Sequence, residues 1–320
     1  MPGTMQAAFL QAPGRFSVEE RPIPRPGSTE LLVKTAACGI CTSEIEIWKG
    51  KLPGLEYPRF IGHEPAGVVV EVGDAVGDFA PGDHISAWSE GKSYAEYFTT
   101  PARYAMKLRP ETRLEEALGE PIACSVNGVL KADPQLNDSV AIIGCGFMGL
   151  IMAQVFRARG VGMMIAVDLR PTIRTLALQL GATHALDPAT VDVAAAIKEF
   201  TGGRGVDIGV EAAGTQTTLD LAANVTRMEG KLEVFGFHVG EPRRVNWGFW
   251  NWMAFQIVNG HSRSDHLYVE GMKIGLTMLE AGTLSMRPLV THRFSLQDIG
   301  RGFEVAAAKG DDFVKGVIAF

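Results

Sequence analysis

The sequence is poor in cysteine, and this scarcity excludes one large class of proteins. Its four cysteines, in a chain of 320 residues, are too sparse for a small secreted scaffold that disulfides hold together. The N-terminal residues 1–6 also lack the basic region and the apolar stretch of a signal peptide. We therefore expect a protein of the reducing cytoplasm.

The chain also has no excess of basic residues and no long apolar run. Lysine and arginine number 30 against 36 acidic residues, which gives a net charge of −6 and argues against a nucleic-acid partner. No window of about 18 consecutive apolar residues occurs, so we expect neither a transmembrane helix nor a membrane partner. Repeats at solenoid periods are absent as well.

What the sequence does contain is glycine, 37 residues of it, and a length that favours two domains. The first hundred or so residues predict short strands separated by glycine and proline, for example 31–37 and 67–72. From about residue 120, strands alternate with helices, which is typical of a doubly wound parallel sheet. The predicted strands are 140–143, 163–167, 206–210 and 231–235, and the predicted helices are 148–159, 172–180 and 191–200.

The last part of the chain predicts a helix over 268–280 and a strand over 316–320. We expect this tail to return to the first domain, which makes the nucleotide-binding domain an insertion. The expected organisation is a catalytic β domain over 1–120, a nucleotide-binding domain over 121–262, and a return to the first domain over 263–320.

Residues 144–149 have the spacing G-x-G-x-x-G, directly after an apolar strand and at the start of a predicted helix. In this context the pattern is typical of a dinucleotide-binding loop. Gly144 permits the tight turn, Gly146 lets the backbone approach a pyrophosphate, and Gly149 lets the helix pack against the strand. Phe147 and Met148 lie at the start of the predicted helix, whose N-terminal N–H groups we expect to face the phosphates.

A carboxylate follows at the distance that such a fold requires for the ribose. Asp168 ends the next predicted strand, 19 residues after Gly149, where it accepts hydrogen bonds from ribose hydroxyls and repels a 2′-phosphate. NAD(H) is therefore expected in preference to NADP(H), a preference that Arg170 could soften. His238 lies just past the last predicted strand of the domain and is a candidate contact for the nicotinamide end of the cofactor.

Cys41 and the neighbouring pair His63 and Glu64 are the residues expected to hold a metal ion. Cys38 and Cys41 also form a C-x-x-C pair, which could be redox-active or one half of a zinc knuckle. A four-cysteine structural site is impossible, because the two remaining cysteines are single and one of them lies inside the glycine-rich loop.

Several segments, taken together and in order, resemble the zinc-containing medium-chain alcohol dehydrogenases. They are 38–44 (CGICTSE), 62–67 (GHEPAG), 82–83 (GD), 119–124 (GEPIAC) and the loop 144–149. The resemblance covers essentially the whole chain, is specific only as a joint pattern, and is nearest to the sorbitol, polyol and threonine dehydrogenase branch. It implies a GroES-like catalytic domain with an inserted Rossmann domain, and a homodimer or homotetramer. It also implies hydride transfer between NAD(H) and a secondary alcohol or polyol, or the corresponding ketone or aldehyde.

The resemblance implies a zinc ion and most of its ligands. Cys41 and His63 correspond to the first two ligands, and the third is either Glu64 or Glu120. Relatives often carry, between the positions of Asp83 and Tyr94, a lobe with four cysteines that binds a structural zinc. Here the short segment 88–92 stands in its place, so one catalytic zinc and no structural zinc are expected.

Roles for three further residues follow from the same resemblance. Ser43 corresponds to the hydroxyl that hydrogen-bonds the substrate oxygen and begins a proton relay. Glu44 stands where relatives usually have Asp, the carboxylate that orients the zinc-bound histidine, and its side chain is one methylene longer. Glu46 stands where the relay often ends at a histidine, and it either accepts the proton there or is an ordinary exposed helix residue.

Two alternative hypotheses stay open. The first keeps the fold but drops the metal, as in the quinone-oxidoreductase relatives, and chelator-insensitive turnover would favour it. The second is a non-catalytic protein that binds NAD(H) as a redox sensor, and cofactor binding without oxidation of any alcohol would favour it. The small-molecule substrate and the physiological direction are not predicted.

Overall fold

The computed structural model describes residues 3–89 and 91–320, and it falls into two compact units. The first comprises the residues up to 123 together with 265–320, and the second comprises 124–264. Met1 and Pro2, which enter the signal-peptide argument, and Glu90, which belongs to the segment 88–92, lie outside the described residues.

Short strands make up most of the first unit, and strands alternate with helices in the second. The strands are β1 (Thr4–Ala12), β2 (Arg15–Pro22), β3 (Glu30–Gly39), β4 (Arg59–Phe60), β5 (Pro65–Val72), β6 (His84–Ala87), β7 (Tyr97–Pro101), β8 (Ala105–Leu108), β9 (Ser139–Ile143), β10 (Met163–Val167), β11 (His184–Leu186), β12 (Val206–Glu211), β13 (Thr226–Val234), β14 (Gln256–Asn259), β15 (Val290–Phe294) and β16 (Lys315–Ala319). The helices are α1 (Thr42–Trp48), α2 (Gly119–Ala132), α3 (Phe147–Ala158), α4 (Pro171–Gln179), α5 (Val193–Phe200), α6 (Gln216–Val225), α7 (Trp247–Trp252), α8 (Asp265–Glu280) and α9 (Ile299–Ala308).

The main sheet of the first unit runs β15-β16-β3-β5-β6-β8, and β7 also pairs with β3. Its inner strand β3 is rich in buried apolar side chains, such as those of Leu31 and Val33. The end of the chain joins this sheet, because β16 pairs antiparallel with β3 and Val317 lies opposite Gly39. A separate sheet, β2-β1-β4, carries the N-terminal hairpin.

Antiparallel pairing places two loops of the first unit side by side. β3 ends two residues before Cys41, and β5 begins directly after His63 and Glu64. Within the ladder, Cys38 lies opposite Pro65. The carboxyl end of β3 and the amino end of β5 therefore share one edge of the sheet, and the residues expected to bind metal follow from there.

The sheet of the second unit is parallel throughout, in the order β11-β10-β9-β12-β13-β14. Numbered within the unit this is 3-2-1-4-5-6, the doubly wound order. All five residues of β9 are buried, as a parallel strand covered on both faces requires. The predicted fold class is confirmed.

Some element boundaries differ from those expected. The strand expected over 231–235 begins at Thr226, because the chain passes from α6 straight into β13. Residues 247–252 form the short helix α7, which the apolar pattern does not predict and whose start is capped by the Asn246 side chain. The helix expected over 268–280 begins at Asp265. None of the described helices combines the length and apolarity needed to cross a membrane.

Candidate metal centre and cofactor loop

Three side chains expected to hold a metal ion come together in the first unit. The ligand atoms of Cys41, His63 and Glu64 all lie within 4.8 Å of one another. A thiolate, an imidazole and a carboxylate are a donor set that zinc accepts, and three protein ligands leave a fourth position open. Within residues 3–89 and 91–320, no second cluster of this kind occurs.

A buried ion pair holds Glu64 in place. Lys315 Nζ, from the start of β16, lies 2.9 Å from Glu64 Oε1 and 2.6 Å from Oε2, and it donates to the Ile40 carbonyl at 2.9 Å. A Cβ on Gly39 would lie 1.9 Å from Glu64 Oε2, so the carboxylate requires glycine at that position. Burial lowers the pKa of Lys315, but the facing Glu64 carboxylate outweighs it, and the pKa lies above its ordinary value.

The surroundings of Glu64 and His63 are compatible with a metal ion. Glu64 Oε2 lies 2.6 Å from the Lys315 ammonium, which balances its charge. A thiolate, an imidazole and a carboxylate have ligand atoms within 4.8 Å of one another, and Glu44 faces His63 Nδ1, which leaves Nε2 for an ion. These residues therefore fit zinc.

Glu44 is the centre of a hydrogen-bond network behind the candidate metal ligands. Its Oε1 accepts from the Gly62 N–H at 2.7 Å and lies 2.8 Å from His63 Nδ1. Its Oε2 accepts from the Tyr94 hydroxyl at 2.5 Å, and that hydroxyl also lies 2.8 Å from the Gly39 carbonyl oxygen. A carboxylate facing Nδ1 favours the tautomer that carries the proton there, which leaves His63 Nε2 for a metal.

The electrostatics of the network keep Glu44 ionised. Burial raises the pKa of Glu44, but His63 and the hydrogen bonds from His63, Tyr94 and Gly62 outweigh it, so the pKa is lowered from its ordinary value. Burial lowers the pKa of His63, but Glu44 and Cys41 raise it well above its ordinary value in the metal-free chain. Burial and the nearby Glu44 charge raise the pKa of Tyr94, so the phenol stays protonated and acts as a donor.

The structure places the two relay candidates differently. The Ser43 hydroxyl donates to Cys41 Sγ at 3.3 Å, so it lies beside the candidate metal ligands. Glu46 points to two lysines instead: its carboxylate lies 3.3 Å from Lys49 Nζ and 3.9 Å from Lys51 Nζ. Glu46 therefore has the surroundings of a helix-surface ion pair.

Glu120 does not belong to the three-residue cluster of the described residues. It lies in the first turn of α2, whose start is fixed by the Gly119 N–H donating to Ser86 Oγ at 2.8 Å. It is near enough to Lys315 for its charge to contribute to the raised pKa of that lysine. Glu64 and Glu120, the two candidates for the third ligand, thus both raise the pKa of Lys315.

The glycine-rich loop of the second unit meets the geometric demands of its motif. Gly144 has φ +85°, and a Cβ there would lie 2.5 Å from the Ala213 Cβ. Gly149 packs closely as well, since its Cβ would lie 3.2 Å from the Gly144 carbonyl oxygen. Gly146 is the N-cap of the twelve-residue helix α3, and no side chain caps it. The start of α3 and the glycine-rich backbone before it thus have the close approach that a pyrophosphate needs, and the loop fits a dinucleotide.

Asp168 and Arg170 lie together beyond β10. The Arg170 N–H donates to Asp168 Oδ1 at 3.0 Å, and the Arg170 Nε lies 3.5 Å from the same oxygen. A Cβ on Gly146 would lie 3.5 Å from Arg170 Nη2, so the guanidinium reaches the glycine-rich loop. Arg174 donates to the Asp168 carbonyl at 2.8 Å and fixes the backbone there.

His238 has both ring nitrogens engaged within the second unit. Its Nε2 lies 2.7 Å from Oε2 of the fully buried Glu211, and its Nδ1 accepts from Arg243 Nε at 3.1 Å. Because an arginine only donates, the proton of a neutral His238 resides on Nε2. Arg243 also donates to the Gly214 carbonyl at 2.8 Å, so His238 ties the segment after β13 to the turn after β12.

Sequence reasoning missed Lys315, Tyr94 and the partners of His238. One signal for Lys315 is present, because a lysine in the otherwise apolar tail KGVIAF needs a buried counter-charge. Tyr94 carries no comparable signal, since an aromatic residue before a strand is ordinary core material. Arg243 reads as an exposed loop residue, and only the structure shows its contact with His238.

A doubly wound dinucleotide-binding unit and a β unit with a thiolate, imidazole and carboxylate cluster define a dehydrogenase that uses zinc and a nicotinamide cofactor. Two family models agree with this class: "Alcohol dehydrogenase GroES-like domain" matches residues 27–110, and "Zinc-binding dehydrogenase" matches residues 148–257. The chain belongs to the zinc-type medium-chain alcohol dehydrogenases and is an oxidoreductase. The family expected from the motifs is thereby confirmed.

Individual relatives are similar over nearly their whole length. The sorbitol dehydrogenase of Bacillus subtilis is 27% identical over 350 residues, covering 99% of this chain and 98% of that protein. The L-threonine 3-dehydrogenase of Pyrococcus abyssi is 28% identical over 303 residues, covering 85% and 86%. The crystal structure of a putative zinc-binding dehydrogenase from Sinorhizobium meliloti, bound to NADP, has a TM-score of 0.88 at 27% identity and covers 99% and 100%.

Proposed function

We propose that this protein is a zinc-dependent dehydrogenase that transfers hydride between NAD(H) and a secondary alcohol or polyol, or the corresponding ketone or aldehyde. One observation carries the proposal: Cys41, His63 and Glu64 bring their ligand atoms within 4.8 Å of one another. The glycine-rich loop before α3 supports the cofactor part, because its backbone has the close approach that a dinucleotide needs.

Cys41, His63 and Glu64 are the proposed zinc ligands, with Glu120 as the alternative third ligand. Support for Glu64 comes from its place in the cluster with Cys41 and His63. Zinc, when bound there, polarises the substrate oxygen and lowers the pKa of an alcohol. One zinc per chain is proposed, because the described residues contain a single cluster of this kind.

The chain's own residues orient the reacting groups. Ser43 is the proposed hydrogen-bond partner of the substrate oxygen, since its hydroxyl already lies 3.3 Å from Cys41 Sγ. Glu44 holds His63 through Nδ1 at 2.8 Å, as carboxylates behind zinc-bound histidines do. From Ser43 we propose that the proton passes to water, because Glu46 is occupied by Lys49 and Lys51.

A small polyol or amino alcohol is the proposed substrate class. Relatives are named sorbitol dehydrogenase, erythritol/L-threitol dehydrogenase and L-threonine 3-dehydrogenase. Each of those named substrates carries a secondary hydroxyl next to a second polar group. Polarisation of a secondary hydroxyl, the chemistry that zinc supplies, suits substrates of this kind.

NAD(H) is the proposed cofactor, with measurable use of NADP(H). Asp168 supports NAD(H), because its carboxylate repels a 2′-phosphate. Arg170 lies 3.5 Å from that carboxylate and reduces the repulsion. His238 is proposed as a support for the nicotinamide-side backbone and not as a direct contact, since Glu211 and Arg243 occupy both of its nitrogens.

A homodimer or homotetramer of the cytoplasm is proposed for the assembly and location. β14 lies at the edge of its sheet, where it offers unpaired backbone groups, and Ile257 on it is 46% exposed. An exposed edge strand with an apolar side chain is suited to pairing with a second copy.

The test combines metal analysis with a substrate panel. NADH formation is followed with polyols, secondary alcohols and amino alcohols, with and without a strong zinc chelator, on protein of known zinc content. We expect about one zinc per chain and turnover that the chelator abolishes. Chelator-insensitive turnover would favour the zinc-independent hypothesis, and cofactor binding without any turnover would favour the redox sensor.

The same assay separates the two candidate third ligands. Glu64→Gln and Glu120→Gln are matched variants, because each removes one negative charge and keeps the shape of the side chain. We expect Glu64→Gln to lower zinc affinity by roughly tenfold or more, since a ligand is lost, and Glu120→Gln to lower it less. The reverse order would assign the third position to Glu120.

A further inference from the structure

Tyr94 joins the chain segment before β7 to the carboxylate behind the metal ligands. It is fully buried, and its hydroxyl lies 2.5 Å from Glu44 Oε2 and 2.8 Å from the Gly39 carbonyl oxygen. A hydroxyl has one proton to donate, and an ionised carboxylate is the stronger acceptor. The contact with Glu44 is therefore the main one, and its short length is typical of a charge-assisted hydrogen bond.

The backbone around Tyr94 also contacts the loop that carries His63. The Tyr94 N–H donates to the Ile61 carbonyl at 3.3 Å, and the Ser93 N–H donates to the Gly62 carbonyl at 3.2 Å. Gly62 has φ +112°, and a Cβ there would lie 2.6 Å from the Tyr94 nitrogen. Glycine is thus required next to His63, because the Tyr94 segment occupies the space beside it.

We infer that Tyr94 is a positioning residue, which fixes the orientation of His63 through Glu44 and so tightens metal binding. The inference rests on the proposed function, because it assumes that His63 is a metal ligand. Glu44 stands where relatives usually have Asp, and its extra methylene adds a rotatable bond. With His63 and Gly62 on Oε1 and Tyr94 on Oε2, both oxygens of the longer side chain are held.

The fold explains why a glutamate suits this position. Glu44 lies in α1 with its side chain buried, and it reaches both the His63 loop and the Tyr94 segment. An aspartate at position 44 would end one bond earlier and could not keep both contacts without movement of the backbone. The Glu44 carboxylate and the Tyr94 hydroxyl therefore act as a pair. Without the hydrogen bond between them, Glu44 Oε2 is no longer held and the orientation of His63 is less fixed.

The test removes single hydroxyl groups. Tyr94→Phe deletes the contact with Glu44 and keeps the ring. Tyr57→Phe is the matched control, because its hydroxyl donates to the Ile47 carbonyl at 2.9 Å and its ring packs against the same apolar cluster. For each protein, Co²⁺ affinity is measured by visible absorption, and Zn²⁺ release to a chelator is followed over time. The His63 Nδ1–H signal of the metal-free protein is recorded by NMR.

For Tyr94→Phe we expect Co²⁺ and Zn²⁺ affinity to fall by roughly tenfold, the lower end of the range for residues that support metal ligands. Release of Zn²⁺ accelerates correspondingly, and the Nδ1–H signal broadens or shifts. Tyr57→Phe leaves all three readouts at the wild-type values. In a Glu44→Asp background, Tyr94→Phe should have little additional effect, since the carboxylate no longer reaches the phenol.

Three outcomes overturn the inference, and one of them also overturns the proposed function. If wild-type protein binds neither Co²⁺ nor Zn²⁺, the proposed function fails and the inference fails with it. If wild-type protein binds the metals tightly and Tyr94→Phe matches Tyr57→Phe in affinity and in the Nδ1–H signal, only the role of Tyr94 is refuted. Equal losses from Tyr94→Phe in the wild-type and Glu44→Asp backgrounds refute it too, and this comparison holds even if each variant is destabilised.

Discussion

The two units of this chain build their candidate sites from different materials. In the first unit, buried charged and polar side chains from distant parts of the chain form the site: Glu64 and Lys315 are 251 residues apart, and Glu44 and Tyr94 are 50 apart. In the second unit, the proposed phosphate site is the backbone of one six-residue loop, whose glycines leave no room for side chains at Gly144 and Gly149. A site built from buried charged side chains is kept in shape by the ion pairs and hydrogen bonds of each residue. A site built from backbone groups is kept in shape by the local conformation of the loop.

This difference has an energetic side. A buried charge is costly unless it is paired, so each member of the metal-site network constrains the others. A glycine in the left-handed region contributes little stability, and its value lies in the shape it allows. Substitutions in the first unit should therefore act mainly through stability and metal binding, and substitutions in the loop mainly through cofactor affinity.

The largest effect is expected from Lys315→Met. Removal of the ammonium leaves Glu64 buried without its counter-charge, and the free energy of unfolding of the metal-free protein should fall by about 3 kcal/mol or more. Denaturant unfolding measures it. Lys107→Met is the control, because it breaks an exposed ion pair with Asp83 and should cost less than about 1 kcal/mol.

The double variant Lys315→Met with Glu64→Gln sharpens this result. Because it removes both charges, it should recover most of the lost stability while zinc affinity stays low. If Lys315→Met costs no more than Lys107→Met, the ion pair does not stabilise the first unit, and the contrast between the two units weakens.

The next effect concerns the loop. Gly144→Ala places a methyl group 2.5 Å from the Ala213 Cβ at φ +85°, so the turn must move. NADH affinity, measured by fluorescence titration, should fall by about tenfold, which is about 1.4 kcal/mol. Gly202→Ala is a matched control: it also has positive φ, +60°, but nothing lies within 4 Å of its Cβ. Equal losses of NADH affinity in both variants would show that backbone strain, and not the shape of the loop, is responsible.

The sequence predicts the cofactor loop of the second unit more completely than the side-chain network of the first unit. The glycine-rich loop, Asp168 and the parallel strands are local patterns, and they could be located closely because their chemistry depends on neighbours in sequence. Cys41, His63 and Glu64 could be chosen through the family resemblance. Lys315 could not, because its partner is set by the pairing of β16 with β3, which brings the end of the chain to Gly39. Tyr94 could not either, since its role depends on the longer side chain of Glu44.

A smaller effect is expected at Asp207, where the charge of a side chain stabilises the second unit. Asp207 accepts from Ser139 N–H at 2.8 Å, from Ser139 Oγ at 2.7 Å and from Arg227 Nε at 2.7 Å, which ties the starts of three strands. Burial raises the pKa of Asp207, but these contacts outweigh it and lower the pKa from its ordinary value of 3.8. A lowered acid pKa stabilises the fold above the unfolded pKa, and that contribution is lost as the pH falls through the folded pKa.

Asp207→Asn should therefore be less stable than wild type at pH 7. The difference should begin to shrink below about pH 4, the ordinary Asp pKa that applies to the unfolded chain, and should shrink further as the pH falls through the lowered pKa of the folded protein. Thermal unfolding from pH 7 to pH 3 measures the difference. A gap that stays constant over this range would mean that the geometry of the contacts, and not the charge of Asp207, is what stabilises the strand starts.

The smallest effect is expected from Arg170→Ala, and it asks whether the cofactor loop depends on one charged pair. Without the guanidinium, Asp168 loses a counter-charge 3.5 Å away and repels a 2′-phosphate more strongly. NADPH affinity should fall by roughly three- to tenfold while NADH affinity changes by less than about twofold. Arg159→Ala, which removes an exposed arginine near Asp133, is the control and should change neither. Equal weakening of NADH and NADPH by Arg170→Ala would instead assign Arg170 to the support of the loop at Gly146, and cofactor binding by that loop would then depend on backbone shape alone.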